Sequence, residues 1–240
     1  MSNLPADVAY TVYPVGDRAV TIQWGEEISE RINQIVLALF DRFREHPLPG
    51  VTDLVPAYNS LMLVHDPLYP QEEIVSAIDL AVKALEVLPA AGEVPHRLKP
   101  SRLVEIPICY DLTLGPDLPL VAATGKIPIE EVIQKHSERT YRVYMIGFMP
   151  GFPYMGTVDP LIATPRKKEP ATHIPSGSVG IAGLQTGIYP IDSPGGWNIV
   201  GRTPLRLFDP VLENPVYLQP GDEVKFIPIP LDTYHEYTGR

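Results

Sequence analysis

The chain of 240 residues exceeds what one ordinary core of roughly 100–150 residues needs, and it suits two modest domains better than one large β domain. With 45% hydrophobic and 20% charged residues it can bury enough apolar surface to offset conformational entropy, which excludes wholesale disorder and fibrous architectures, and its 28 prolines argue against a mainly helical bundle. The formal charge of −10 divides unevenly, with 5 Lys and Arg against 14 Asp and Glu over 1–95 but 14 against 15 over 96–240, and the only basic run, Arg166-Lys167-Lys168, argues against nucleic acid as a partner.

In chain order, Tyr10–Val15 and Ala19–Trp24 read as two strands around a turn at Gly16-Asp17. Ile32, Ile35, Val36, Leu39, Phe40 and Phe43 then fall on one face of a helix, which Pro47-Leu48-Pro49-Gly50 ends. A second strand pair, Val51–Ala57 and Ser60–His65, turns at Tyr58-Asn59. Pro70 opens a second helix with the apolar face Ile74, Ile78, Ala81, Val82 and Leu85, and Glu72 and Glu73 lie at its positive end. The order ββαββα predicts an α+β N-terminal domain, a small antiparallel sheet covered by two helices. Periodicity is lost at Pro89–Pro95, so the linker is placed there and the domains run 1–95 and 96–240.

Beyond it, Leu103–Cys109 is a strand candidate and Ile127–His136 a short helix opened by Pro128. Everything afterwards reads as β: Tyr141–Phe148, Val179–Ala182, Ile188–Ile191, Asn198–Val200, Leu205–Phe208 and Glu223–Ile227 recur between Gly and Pro turns, as in a closed or sandwiched β domain. No stretch of about 18 apolar residues and no signal core occurs, so a cytoplasmic protein is expected. The single Cys109, in an apolar strand, reads as a small core hydrophobe.

Phosphate-loop, dinucleotide-binding, nucleophile-elbow, zinc-protease and paired-cysteine motifs are absent, and the six histidines are scattered without metal-ligand spacing, so no metal site is expected. What stands out is the density of Gly, Pro, aromatic and amide residues over 147–203. Phe152, Tyr154, Tyr189 and Trp197 could wall a pocket whose polar contacts are His173, Gln185, Thr186, Asn198 and Arg202. Equally, the glycines could turn barrel corners while the aromatics pack a core, and composition leaves both readings open.

The runs TYRVYMIGFMPGFPYMG (Thr140–Gly156), Ile162-Ala163-Thr164-Pro165-Arg166 and Pro175–Pro210 closely resemble the family of the 5-oxoprolinase B subunit, also named KipI or allophanate hydrolase subunit 1, as do Gly16–Val20, Val51–Pro67 and Pro107–Asp111. The resemblance implies a mostly-β, cyclophilin-like barrel behind the α+β domain. It also implies one component of an ATP-dependent 5-oxoprolinase, inactive alone, that opens 5-oxoproline to L-glutamate together with a homologous C subunit and an A subunit. ATP with Mg would be used by the assembled complex rather than held tightly by this chain. A KipI-like inhibitor of a sporulation histidine kinase is the alternative, and a component of allophanate or urea amide hydrolysis is a third. Two positions depart from the family pattern: His173 stands where arginine is usual, and Leu184 where glycine is common. A histidine grips a carboxylate only when protonated, with one donor per nitrogen, so a role of the usual arginine does not pass to it unchanged.

Overall fold

The computed structural model describes residues 9–86 and 101–238. The chain divides into two compact units, Met1–Pro100 and Ser101–Arg240. The expected linker at 89–95, with its domain boundary near residue 95, lies outside the described residues.

In the first unit, β1 (Tyr10–Val15), β2 (Ala19–Trp24), β3 (Val51–Pro56) and β4 (Ser60–His65) form an antiparallel sheet in the order β1-β2-β4-β3. Helices α1 (Glu30–Glu45) and α2 (Gln71–Glu86) complete the order ββαββα read from the sequence. Gly16 turns the first hairpin at φ +64°. The Ser29 hydroxyl caps α1 by accepting the Ile32 N–H, and Ile32, Ile35, Val36, Leu39 and Phe43 pack with Val20, Ile22, Trp24, Leu61 and Leu63. Ile74, Ile78, Ala81 and Val82 of α2 join the same core, while the Leu85 side chain lies outside the described set. Asn33, fully buried on α1, donates to the Ala57 and Tyr58 carbonyls and ties the helix to the β3–β4 turn.

The second unit is built on a seven-stranded sheet. Its members are β5 (Leu103–Ile108), β6 (Thr140–Ile146), β7 (Pro153–Gly156), β9 (Ser178–Ala182), β10 (Gln185–Ile188), β12 (Asn198–Arg202) and β13 (Glu223–Pro228), in the order β12-β9-β10-β7-β6-β13-β5. All described neighbours are antiparallel except β13 and β5. The two outermost strands meet: Cys109, just beyond β5, exchanges both backbone hydrogen bonds with Arg202 at the end of β12, at 2.9 and 3.0 Å. The sheet therefore curls until its two outer edges touch at this one bridge. A Cβ on Gly201 would stand 2.8 Å from the Cys109 carbonyl oxygen, so this approach needs glycine. Inside pack Ile106, Ile108, Tyr141, Val143, Met155, Val179, Ile181, Ile188, Val200, Val224 and Phe226. A separate ribbon pairs β8 (Ala171–Ile174) with β11 (Ser193–Gly195).

Several expectations for this unit need correction. Helix α3 (Leu118–Gly125) was not foreseen; Pro119 sits in its first turn, where a missing N–H costs nothing, and Lys126 in the left-handed region (φ 55°) ends it. Helix α4 (Ile129–Ser137) matches the reading, but the chain after it is not all β, since α5 (Leu231–Thr238) follows the last strand. Leu205–Phe208 is not a strand, and only Phe208 forms a bridge, to Val216. The strand expected at Ile188–Ile191 lies earlier, at β10, because Pro190 has no N–H to give a ladder. Among the described residues no helix is long and apolar enough to cross a membrane.

Candidate functional site

At one end of β6 the chain leaves the ladder at Gly147, turns through Phe148, and re-enters as β7, with the Gly147 N–H donating to the Phe152 carbonyl at 3.1 Å. Phe148 adopts φ +65°, a conformation costing a bulky side chain on the order of 1–3 kcal/mol, and the residue is 66% exposed. Phe152 points the other way and is buried at the centre of an aromatic set. Its ring meets those of Phe148, Tyr154, Tyr189 and Trp197 edge to face, with centroids 5.9, 4.9, 5.2 and 5.3 Å away. Two glycines make room for it. A Cβ on Gly187 would lie 2.8 Å from Phe152 Cζ, and one on Gly195 only 2.3 Å from the Tyr189 hydroxyl.

The outer faces of these rings, with Arg166, Pro170, Pro194, Gly195 and Gly196, line an open groove of about 260 Å³. Arg166 places its guanidinium carbon 5.8 Å from the Trp197 ring centre, and it has no carboxylate partner among the described residues. Its backbone is fixed on both sides. Before it, Asn198 Nδ2 donates to the Pro165 carbonyl at 2.9 Å and to the Ile181 carbonyl at 3.1 Å. After it, the Lys167 N–H donates to the Gly196 carbonyl at 2.8 Å, and Lys167 Nζ pairs with Asp117 Oδ2 at 2.7 Å. The same carboxylate oxygen accepts the Ile199 N–H at 2.7 Å. Burial pushes the hydroxyls of Tyr154 and Tyr189 above the usual tyrosine range, an effect the Arg166 charge partly opposes, so both remain protonated donors at neutral pH.

The groove brings together four of the nine residues singled out in the sequence: Phe152, Tyr154, Tyr189 and Trp197. Thr186 and Asn198 are buried and bonded to backbone carbonyls, Thr186 to that of Gly180 at 3.1 Å. Gln185 starts β10 opposite Gly156, and Arg202 lies at the sheet closure opposite Cys109; neither lines the groove. His173, on β8, is exposed and 3.9 Å from the equally exposed Asp192. Sequence reasoning missed Phe148, Arg166 and Pro170. For Arg166 the signal was the lone basic run that it begins, inside a family-like motif. Leu184 occupies the second position of the two-residue β9–β10 turn, whose positive φ (+58°) falls on Gly183, so the turn itself does not demand glycine at 184.

The other titratable cluster is sealed in the core. His136 is fully buried on α4, stacked on Phe226 with ring centres 4.8 Å apart. Thr186 donates its hydroxyl hydrogen to Gly180, so it accepts from His136 Nε2 (2.9 Å), and His136 Nδ1 accepts from the Tyr110 hydroxyl (2.8 Å). Burial lowers the imidazole pKa to about 3, so His136 is a neutral structural residue. No set of three His, Cys, Asp or Glu side chains converges among the described residues.

The family model "Carboxyltransferase domain, subdomain C and D" matches residues 10–218. A Bacillus subtilis protein named as the B subunit of 5-oxoprolinase is 43% identical over 233 residues, 96% of this chain and 97% of that protein. The chain belongs to the 5-oxoprolinase B-subunit family. An Escherichia coli O157:H7 protein of the same name is 37% identical, with 90% of this chain aligned to 94% of it. The crystal structure of TTHA0988 superposes with a TM-score of 0.76 at 40% identity over 88% of this chain. This chain spans only 40% of the TTHA0988 chain, so there the counterpart is part of a longer polypeptide.

Proposed function

We propose that this chain is the B subunit of an ATP-dependent 5-oxoprolinase that opens the lactam of 5-oxoproline to L-glutamate together with the C and A subunits. The observation that carries the reading is the 43% identity to the Bacillus subtilis B subunit, which extends over 97% of that protein. The longer TTHA0988 chain supports a site shared with further polypeptide.

The chemistry calls for such an assembly. A five-membered lactam is amide-stabilised and readily re-closes, so its opening is coupled to ATP. Transfer of the γ-phosphoryl group to the lactam oxygen leaves ADP and activates the ring carbonyl carbon. Water adds to that carbon, and the C–N bond breaks as the nitrogen takes up a proton, giving an acyl phosphate of glutamate. A second water hydrolyses the acyl phosphate to glutamate and phosphate. Mg accompanies ATP in the assembled complex, which works in the cytoplasm, where ATP is supplied. The curled seven-stranded sheet, whose outer edges touch at Cys109 and Arg202, is read as the cyclophilin-like barrel of the family.

The test is reconstitution with the cognate C and A subunits, assayed for ATP-dependent release of glutamate from 5-oxoproline. Turnover is expected from the three together and none from this chain alone. Full turnover by the other two without this chain would overturn the proposal.

A further inference from the structure

We propose that the groove beside Phe148, Tyr154 and Arg166 binds a small flat ring carrying one carboxylate, with the ring against the aromatic side chains and the carboxylate on the Arg166 guanidinium. The identification of that ring acid as 5-oxoproline rests on the function proposed above; the groove chemistry itself does not.

Size, charge and rigidity point the same way. At about 260 Å³ the groove suits a single ring and is small for a nucleotide or a drug-sized ligand, whose sites run roughly 300–1,000 Å³. Its lining contains no Asp or Glu and one cation. Lys167, the neighbouring cation, is already neutralised by Asp117, which leaves the Arg166 charge for a ligand. A guanidinium resting on an indole face keeps its planar N–H fork for an anion, and a carboxylate accepts that fork bidentately. The backbone on either side of Arg166 is fixed at Pro165 and Lys167, so no backbone ordering is needed when a ligand binds. Phe148 is the second independent observation. A phenylalanine held in the left-handed region with two-thirds of its surface in solvent is explained by a ligand that covers it, and the core packing does not explain it.

The test titrates the full chain by calorimetry and by the NMR shift of the Trp197 indole, with three probes: 5-oxoproline, cyclopentanecarboxylate (ring and carboxylate, no lactam) and 2-pyrrolidinone (lactam, no carboxylate). Both acids should bind, 2-pyrrolidinone at least about tenfold more weakly, and Arg166→Gln should weaken both acids by at least about tenfold while Arg166→Lys retains part of the affinity. Arg166 is exposed, so the fold survives either change. Acid binding unchanged in Arg166→Gln, equal binding of 2-pyrrolidinone, or a proline-containing peptide that occupies the groove and is not displaced by either acid would overturn the proposal. Arg166-dependent binding of cyclopentanecarboxylate without binding of 5-oxoproline would support the groove chemistry and overturn its assignment to the 5-oxoprolinase substrate. A reconstituted complex that turns over normally with Arg166→Gln would overturn the part given to the groove and leave the proposed function standing.

Discussion

His136 should make the second unit sensitive to acid. In the fold its imidazole is neutral with a pKa of about 3, because its complete burial, against Phe226, penalises the charged form. In the unfolded chain an ordinary histidine titrates near 6.5. The unfolded state therefore binds the proton more readily, so the contribution is present in full above about pH 6.5 and is lost as pH falls toward the folded value. At up to about 1.4 kcal/mol per pH unit, and half that at pH 6.5 itself, lowering pH from 6.5 to 4.5 removes roughly 2 kcal/mol, a large fraction of a typical 5–15 kcal/mol stability. Carboxylates also titrate over part of this range, so the informative quantity is a difference. Urea titrations of wild type and His136→Gln, read by hydrogen exchange in peptides spanning 178–188, isolate it. At pH 7 the variant should be the less stable, and its deficit should shrink by roughly 2 kcal/mol by pH 4.5. A deficit independent of pH, or an NMR titration of the His136 imidazole with its midpoint near 6.5, would refute the reasoning.

Further outcomes follow from the same geometry. Gly195→Ala should disrupt the aromatic set, because its Cβ would stand 2.3 Å from the Tyr189 hydroxyl; a thermal melt should show a loss on the order of 1–3 kcal/mol, with altered Trp197 fluorescence. Asn198→Ala should cost about 2 kcal/mol by removing a buried amide that donates to the Pro165 and Ile181 carbonyls, and it should weaken acid binding in the groove although Asn198 does not line it. Cys109 should react slowly with iodoacetamide at pH 8 in the native protein and rapidly in urea, since burial raises its thiol pKa; fast native alkylation would contradict its placement at the sheet closure.

The first unit was legible because local rules and tertiary packing agree there. The 3.6-residue spacing from Ile32 to Phe43 marks the face that packs on β2 and β4, and Pro47 to Gly50 mark its end. The second unit was legible as β but not in its details. Pro119 hid α3 because a proline in a first helical turn and a proline in a loop look alike in sequence. No local pattern announces that the outer edges of one sheet touch at Cys109 and Arg202, 93 positions apart (202 − 109). For the site, the aromatic and glycine density falls where the groove lies, and Phe152 and Tyr189 both line it and are buried among the packed rings, so residue type alone could not separate a groove wall from a core. Thr186 and Asn198 could not be separated from ligand contacts by residue type, because buried amides and hydroxyls bonded to carbonyls look the same in sequence as those that reach a substrate.

A stoichiometric measurement tests the shared ring-opening site most directly. With this chain and the C and A subunits combined and supplied with 5-oxoproline and ATP, glutamate and ADP are measured together over time. They should appear in equal amounts, and neither should rise above background when this chain is left out. Lactam-dependent ATP hydrolysis by this chain alone, or glutamate formation that proceeds without it, would contradict the claim that it is one part of a site shared among the three.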